Sequence, residues 1–339
     1  MKKIISMILV LAMAISLLTG CGSSAPAATE AATADASAAA EPQTFQVAII
    51  QQLDHSSLDE IRNAIEAQLK ALAAEKGVAI EITYDNGQND TSMLTQIATQ
   101  VVSDKPDMII PIATLAAQYA VLAAEGTDIP VVYAAISDPA GAGLTGLKNV
   151  TGVSDALNTP FILDMMLAAQ PDIKTVGLLY STSEINSEAP IAQAKEYLDA
   201  KGIAYIEKTG TTSGEIVEAA ASLVGRVEAV FTPTDNVVMA AETSVAELLN
   251  GSGIAHYTGA DSFVQSGAFT TCGVNYTELG TKSADIAFDI LMGGQIGEFV
   301  VMDGGIITVN TDTAAAIGID YSVFSTMANT LIEVTTTVD

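Results

Sequence analysis

The feature that most constrains the fold of this chain is an alternation of short apolar runs with longer stretches of helical spacing, which starts near Phe45. The first three units are the apolar run 47–50, the helical stretch 58–76 and the apolar run 79–84. Continuous apolar runs of strand length are typical of strands buried on both faces, and such strands form parallel sheets covered by helices. The sequence therefore predicts an α/β fold.

The alternation occurs twice along the chain. The first series ends in the glycine-rich segment 139–146 and a short strand over 149–153, and a second series of the same kind starts at Thr175. Two similar halves predict a bilobed protein with a parallel sheet in each lobe. Ligands bind open parallel sheets at the carboxyl ends of the strands, so we expect the binding site in the cleft between the lobes.

The N-terminus carries a targeting signal. Lys2 and Lys3 precede the apolar run 4–17, which is too short to span a membrane stably and is typical of a secretory signal peptide. The residues 18–21 that follow, Leu-Thr-Gly-Cys, resemble a bacterial lipoprotein cleavage box. We therefore predict a signal peptide over 1–20, a lipid on Cys21, and a protein anchored outside the cytoplasmic membrane by that lipid alone.

Residues 21–43 are rich in Ala, Ser, Thr, Pro and Glu and contain almost no large apolar side chain after Cys21. Such a composition cannot bury enough surface to offset the entropy of ordering it. The segment is interpreted as a flexible tether that holds a folded body beside the membrane.

Composition excludes several classes of function. The formal net charge of −27 disfavours binding to nucleic acid. The chain has two histidines and two cysteines, without the spacing of a metal site or of a catalytic nucleophile motif. The glycines at 141, 143 and 146 match a dinucleotide-binding pattern but lead into a strand instead of a helix. We therefore expect no enzyme activity, no metal and no cofactor.

Candidate binding residues lie in the loops that follow the predicted strands. They are Gln51, His55, Thr114, Ser137, Asp138, Ser183, Asn186, Thr234, Asp235, Asn236 and Asp261. Each position also has a structural interpretation: Thr114 and Asp235 could cap helices, the clusters at 137–139 and 183–186 could form turns, and His55 could be a solvated loop residue. Asp235 could instead pair with a ligand ammonium. Their convergence on one cleft favours binding.

Several motifs, in order, resemble one known family. They are Gln51 to Asp59, Ile112-Ala113-Thr114, Ser137-Asp138-Pro139 with Gly141 to Leu144, Val150 to Ser154, and Pro233-Thr234-Asp235-Asn236. This set, spread from about Phe45 to Ile319, is similar to the ABC-transporter substrate-binding lipoproteins of the tryptophan/tyrosine type. These proteins have the type I periplasmic binding protein fold, with two Rossmann-like lobes.

The resemblance implies three crossovers between the lobes. Lobe 1 would hold 44–154 and about 276–302, and lobe 2 would hold 155–275 and about 303–339. It also implies a monomer that closes on a small amino acid, often aromatic, and delivers it to a permease driven by an ATPase. The alternatives are a receptor for a sugar, nucleoside or short peptide, or a ligand sensor for a membrane kinase.

The family also implies roles for individual residues. Thr114 and nearby N–H groups would take the ligand carboxylate, and Asp235 and Asn236 would lie near its ammonium. Asp261 is an alternative partner for the ammonium. The aromatic residues that could stack on the ligand are Tyr133, Tyr180 and Tyr276.

Overall fold

The computed structural model describes residues 43–337. The predicted signal peptide, the predicted lipid site at Cys21 and the predicted tether, apart from Gln43, lie outside this range. Within 43–337, no helix combines the length and the apolar character needed to cross a bilayer.

Within the described range, the first sheet has six strands, all parallel, in the spatial order β11-β5-β4-β3-β1-β2. Its strands and the helices packed on them, here called lobe 1, are β1 (Thr44–Gln51), α1 (Ser56–Lys76), β2 (Ala79–Asn86), α2 (Thr91–Asp104), β3 (Met108–Ile112), α3 (Thr114–Ala124), β4 (Val131–Ala134), β5 (Val150–Ser154), α10 (Tyr276–Leu291) and β11 (Val300–Val301).

The second sheet, as far as residues 43–337 form it, has seven strands in the order β13-β12-β10-β9-β8-β6-β7. Its elements, here called lobe 2, are α4 (Thr159–Ala169), β6 (Thr175–Ser181), α5 (Glu188–Lys201), β7 (Ala204–Gly210), α6 (Ser213–Ala221), β8 (Ala229–Thr232), α7 (Asn236–Met239), α8 (Glu242–Gly251), β9 (Ala255–Thr258), α9 (Asp261–Gln265), β10 (Thr270–Gly273), β12 (Ile306–Asn310), α11 (Thr311–Ile317) and β13 (Thr330–Val334).

Strand β1 shows why the sheets are buried on both faces. Val47 and Ile49 pack into one apolar cluster together with Ile61 and Ile65 of α1, whereas Ala48 and Ile50 pack into a second cluster on the opposite face. Successive side chains of a strand point to opposite faces, so a strand that is apolar throughout needs helices on both sides. This confirms the α/β fold class predicted from the sequence.

One strand pair departs from the predicted parallel arrangement. Strands β10 and β12 pair antiparallel, with Gly273 opposite Ile306. The chain leaves lobe 2 after β10, forms α10 and β11 in lobe 1, and returns at the cleft end of the second sheet. Strand β12 therefore starts at the end of the sheet where β10 finishes, and the two strands run in opposite directions.

The helical segment after β8 is divided into two helices. It forms the short helix α7 and the longer helix α8, with Ala240 and Ala241 between them. The break follows a single helical turn that Asp235 caps, and it places this turn at the cleft. The bounds predicted for the two lobes stay a prediction.

Candidate functional site

A cavity lies between the lobes at the carboxyl ends of the strands, with about 400 Å³ of empty space that is in part open to solvent. Seven of the candidate residues line it: His55, Thr114, Ser137, Asn186, Thr234, Asp235 and Asn236. In lobe 1 these residues follow β1, β3 and β4, and in lobe 2 they follow β6 and β8. Parallel strands bring loops that are distant in the sequence to one edge, which explains the convergence.

Four candidates lie outside the lining of this cavity. Gln51 is fully buried, and its amide donates to the Leu53 carbonyl at 2.8 Å. Asp138 accepts a hydrogen bond from the Gly141 N–H at 2.9 Å and so closes a turn. Ser183 is exposed and shares a hydrogen bond with Ser181. Asp261 accepts a hydrogen bond from the Ser57 hydroxyl at 3.4 Å and faces a neighbouring cavity.

Asp235 is the capping residue of α7. One carboxylate oxygen accepts from the N–H groups of Val237 and Val238 at 3.1 and 3.0 Å. The other oxygen accepts from the Ser181 N–H and the Ser187 hydroxyl, both at 2.7 Å. The side chain is fully buried, and four donors occupy both of its oxygens. The role of Asp235 as a helix cap therefore accounts for the position and burial of its carboxylate.

Asp155 is a site residue that sequence reasoning missed. It directly follows β5, it is 6% exposed, and it lines the cavity. Ser137 donates to its carboxylate at 3.0 Å, and the Tyr276 hydroxyl also donates to it. Burial raises the pKa of Asp155, and these hydrogen bonds oppose that shift. The sequence signal for this residue is its position at the end of the buried strand β5.

Among the residues that the structure describes, the lining of the cavity contains the carboxylates of Asp155 and Asp235 and no lysine or arginine. A buried carboxylate without a basic partner is costly, because the charge loses its hydration and gains no ion pair. The electrostatic character of the site therefore favours a ligand that brings a positive charge to Asp155.

Three polar atoms of the lining are buried and lack a hydrogen-bond partner among the described residues. They are His55 Nδ1, Asn186 Oδ1 and Ser262 Oγ. An unpaired buried polar atom costs roughly 1–3 kcal/mol. A polar ligand in the cavity would remove this cost, so the cavity is suited to a small molecule with several hydrogen-bonding groups.

Hydrogen bonds cross the cleft and hold the lobes together. The Ser137 hydroxyl in lobe 1 donates a hydrogen bond to the Asp155 carboxylate. Its oxygen therefore accepts the hydrogen bond that joins it to the Thr234 hydroxyl of lobe 2, at 2.8 Å. Gln52 in lobe 1 donates to Glu184 in lobe 2, also at 2.8 Å. The structure therefore represents the lobes in a closed arrangement.

Glu184 is a second buried acid that the sequence did not single out, although its neighbours Ser183 and Asn186 were candidates. It is 1% exposed and accepts from Gln52 and from the Asn236 amide, each at 2.8 Å. Burial and the nearby charge of Asp235 raise the pKa of Glu184 to about 8.

The comparisons with known proteins agree with this geometry. The family model described as "ABC transporter substrate binding protein" matches residues 46–327. The chain belongs to this family. It is therefore the substrate-binding component of an ABC transporter. Proteins of this family are extracytoplasmic.

One curated relative is a tyrosine-binding protein from Clostridioides difficile (strain R20291). It is 33% identical over 325 residues, which cover 93% of this chain and 92% of the relative.

Two solved structures are informative about the state of the lobes. The ABC domain in complex with L-Trp from Streptococcus pneumonia is 28% identical, with a TM-score of 0.79, and covers 86% of this chain and 100% of that chain. The ligand-free, open structure of a substrate-binding protein with adhesive properties from Clostridium difficile is 32% identical, with a TM-score of 0.65 and the same coverage. The chain superposes better on the tryptophan complex than on the open structure, although its identity to the complex is lower. This agrees with the closed arrangement of the lobes.

Proposed function

We propose that this protein captures an aromatic amino acid, tyrosine or tryptophan, in the cavity between its lobes and passes it to a membrane permease that is driven by a cytoplasmic ATPase. The relatives that bind tyrosine and tryptophan support the class of ligand. The observation that carries the proposal is the buried Asp155 carboxylate, which faces a cavity lined by no lysine or arginine.

Asp155 is the proposed partner of the ligand ammonium. The sequence suggested Asp235 for this role, with Asp261 as an alternative. The four donors on Asp235 leave its oxygens little capacity for another, and Asp261 faces a different cavity. Asp155 accepts from the hydroxyls of Ser137 and Tyr276 and from its own backbone N–H, which leaves its oxygens capacity for an ammonium.

The ligand carboxylate is assigned to the start of α3. Ala113, the residue before the helix, has a φ of 72° and its own side chain makes no capping bond, and the Leu115 N–H donates to the side-chain Oε1 of Gln52 at 3.0 Å. The Thr114 hydroxyl lies beside this helix start and lines the cavity. A helix N-terminus favours a negative charge, and the nearby hydroxyl adds a donor.

The aromatic ring is assigned to the apolar part of the lining. Leu58 comes from lobe 1, and Met239 and Phe263 come from lobe 2. Of the three tyrosines considered from the sequence, Tyr276 lines the cavity and hydrogen-bonds Asp155, whereas Tyr133 and Tyr180 are not part of the lining. We therefore propose that the ring of the ligand packs against Phe263. Edge-to-face and offset-stacked arrangements are the favourable ones for two aromatic rings.

Closure is proposed to occur by rotation of the two predicted lobes, 44–154 with 276–302 against 155–275 with 303–339. The segments that link them follow β5, β10 and β11. Cys21 is proposed as the lipidated residue that keeps the captured amino acid near the permease, and the protein is proposed to act as a monomer without catalysis. Hinge closure around a small ligand is the usual motion of such proteins.

A thermal-shift screen over amino acids, sugars, nucleosides and short peptides tests the proposal. Binding to the native state raises the melting temperature in proportion to RT ln(1 + [L]/Kd). We expect L-tyrosine or L-tryptophan to give the largest shift, and the D155N variant to lose most of it because the ammonium loses its charged partner. A sugar or nucleoside that shifts the melting temperature while no amino acid does would refute the proposal.

A further inference from the structure

The hydrogen bonds around Asn236 determine which nitrogen of His55 carries a proton. The Asn236 amide nitrogen donates to the Glu184 carboxyl at 2.8 Å, so its oxygen is the atom that faces His55. His55 Nε2 lies 3.2 Å from that oxygen. An oxygen can only accept, so the Nε2 atom carries the hydrogen and donates it.

The other ring nitrogen is therefore an acceptor. Burial lowers the pKa of His55, which favours the neutral ring. A neutral imidazole protonated at Nε2 has a lone pair and no hydrogen at Nδ1. In the structure Nδ1 is buried, has no hydrogen-bond partner among the described residues, and belongs to a side chain that lines the cavity. This atom can be satisfied only by a ligand group or a water that donates.

The order of the strands separates His55 from Asp155 along the cavity. His55 follows β1 and Asp155 follows β5, and β3 and β4 lie between these two strands. Three strand intervals of about 4.8 Å place the two strands about 14 Å apart. Thr114 and Ser137 follow the two strands between them. An amino acid whose ammonium meets Asp155 and whose carboxylate meets Thr114 thus extends its side chain toward His55.

We propose that His55 Nδ1 accepts a hydrogen bond from the side chain of the ligand, and that this contact selects tyrosine and tryptophan over phenylalanine. The phenol O–H of tyrosine and the indole N–H of tryptophan are both donors, and phenylalanine has none. This assignment rests on the proposed function. A ligand without a donor leaves Nδ1 buried and unpaired, and sites built around a buried hydrogen bond reject such analogues strongly.

Calorimetric titration of the purified chain with L-tyrosine, L-phenylalanine and 4-fluoro-L-phenylalanine tests the proposal. The fluorine has about the size of the hydroxyl but cannot donate. We expect tyrosine to bind at least about tenfold more tightly than either analogue, the equivalent of one buried hydrogen bond. Equal affinity for tyrosine and 4-fluorophenylalanine overturns the role of His55 and leaves the proposed function intact. Failure of both tyrosine and tryptophan to bind overturns the proposed function itself.

Two variants distinguish the role of His55 Nδ1 as a hydrogen-bond acceptor from a structural role of the His55 side chain. In H55Q the side-chain amide nitrogen can replace Nε2 and keep the bond to Asn236, but nothing replaces Nδ1. In H55N the side-chain oxygen can replace Nδ1. We expect H55Q to lose the preference for tyrosine over 4-fluorophenylalanine and H55N to keep it. An unchanged preference in H55Q overturns the proposal.

The state of the ring can be measured in the unmodified chain. A ¹⁵N–¹H correlation spectrum of the imidazole, recorded with tyrosine bound, should show the proton of His55 on Nε2 and a hydrogen-bonded lone pair on Nδ1. A proton on Nδ1 overturns the proposal, even if both variants fail to fold.

Discussion

The D235N variant tests whether Asp235 caps helix α7 or contacts the ligand. An asparagine at this position keeps one oxygen for the N–H groups of Val237 and Val238 but turns an amide nitrogen toward the Ser181 N–H. That N–H then faces another donor in a fully buried position, and the remaining bonds lose their charge assistance. A buried unsatisfied N–H costs roughly 1–3 kcal/mol, so a total of about 3 kcal/mol is expected.

This loss can be expressed as a melting temperature. Unfolding entropy is about 2.1 cal/mol/K per residue, which gives about 0.6 kcal/mol/K for a body of roughly 300 residues. A loss of 3 kcal/mol therefore lowers the melting temperature by about 5 °C. The assay is scanning calorimetry without ligand, followed by titration with L-tyrosine below the new melting temperature. We expect D235N to melt early and still bind.

The matched control is D138N, the same substitution at a partly exposed residue with one turn hydrogen bond, to the Gly141 N–H. The asparagine keeps an oxygen for this N–H and loses only the charge assistance, which costs at most about 0.5 kcal/mol, or about 1 °C. The reasoning is refuted if D235N melts no lower than D138N but binds tyrosine much more weakly, because Asp235 would then be a ligand contact instead of a cap.

Three further predictions concern pH, packing and the membrane anchor. Because the pKa of Glu184 is raised from 4.5 to about 8, the folded protein binds an extra proton between these values, so the free energy of unfolding falls as the pH rises through this range. The slope of the free energy of unfolding against pH is at most about 1.4 kcal/mol per pH unit. Urea titrations at several pH values should find a smaller slope in E184Q, and the same slope in both proteins would contradict the role of Glu184. A Cβ on Gly280 of α10 would lie 2.5 Å from the Ile61 carbonyl oxygen of α1, so G280A should lose about 1–3 kcal/mol of stability. Its control, G214A in α6, meets nothing within 4 Å and should gain about 0.5–1 kcal/mol; thermal melts in which both variants shift alike would contradict the packing argument. The C21A variant should move the protein from the membrane fraction to the soluble fraction of cells, and retention in the membrane fraction would argue against lipid attachment at Cys21.

Local patterns were sufficient to predict much of the fold. The continuous apolar runs of the sequence are strands in the structure, for example β3 (Met108–Ile112) and β8 (Ala229–Thr232). These strands are buried on both faces, so their apolar runs are continuous and their ends are marked by polar residues. The antiparallel pairing of β10 with β12 could not be read from the chain in this way. It depends on the end at which the chain re-enters the second sheet, which is a property of the crossover between lobes.

The site was predictable in position but not in detail. The rule that ligands bind at the carboxyl ends of parallel strands led to loops such as the one after β8, whose residues line the cavity in the structure. It could not separate Asp235, whose two oxygens are occupied by four donors, from Asp155, which accepts from two hydroxyls and its own backbone N–H. That difference arises from side chains on other elements, such as Ser187 and Tyr276. Likewise, Glu184 becomes a buried bridge between lobes only because Gln52 reaches it across the cleft.

Calorimetric titration of the purified chain with L-tyrosine, L-tryptophan and two truncated analogues tests the central claim most directly. Tyramine lacks the carboxylate that we assign to Thr114, and 3-(4-hydroxyphenyl)propionate lacks the ammonium that we assign to Asp155. The account predicts binding of one amino acid per chain, with each analogue about a hundredfold weaker, because each loses a charge-assisted interaction. No heat of binding from either amino acid at millimolar concentration, or equal affinity for 3-(4-hydroxyphenyl)propionate and tyrosine, would contradict it.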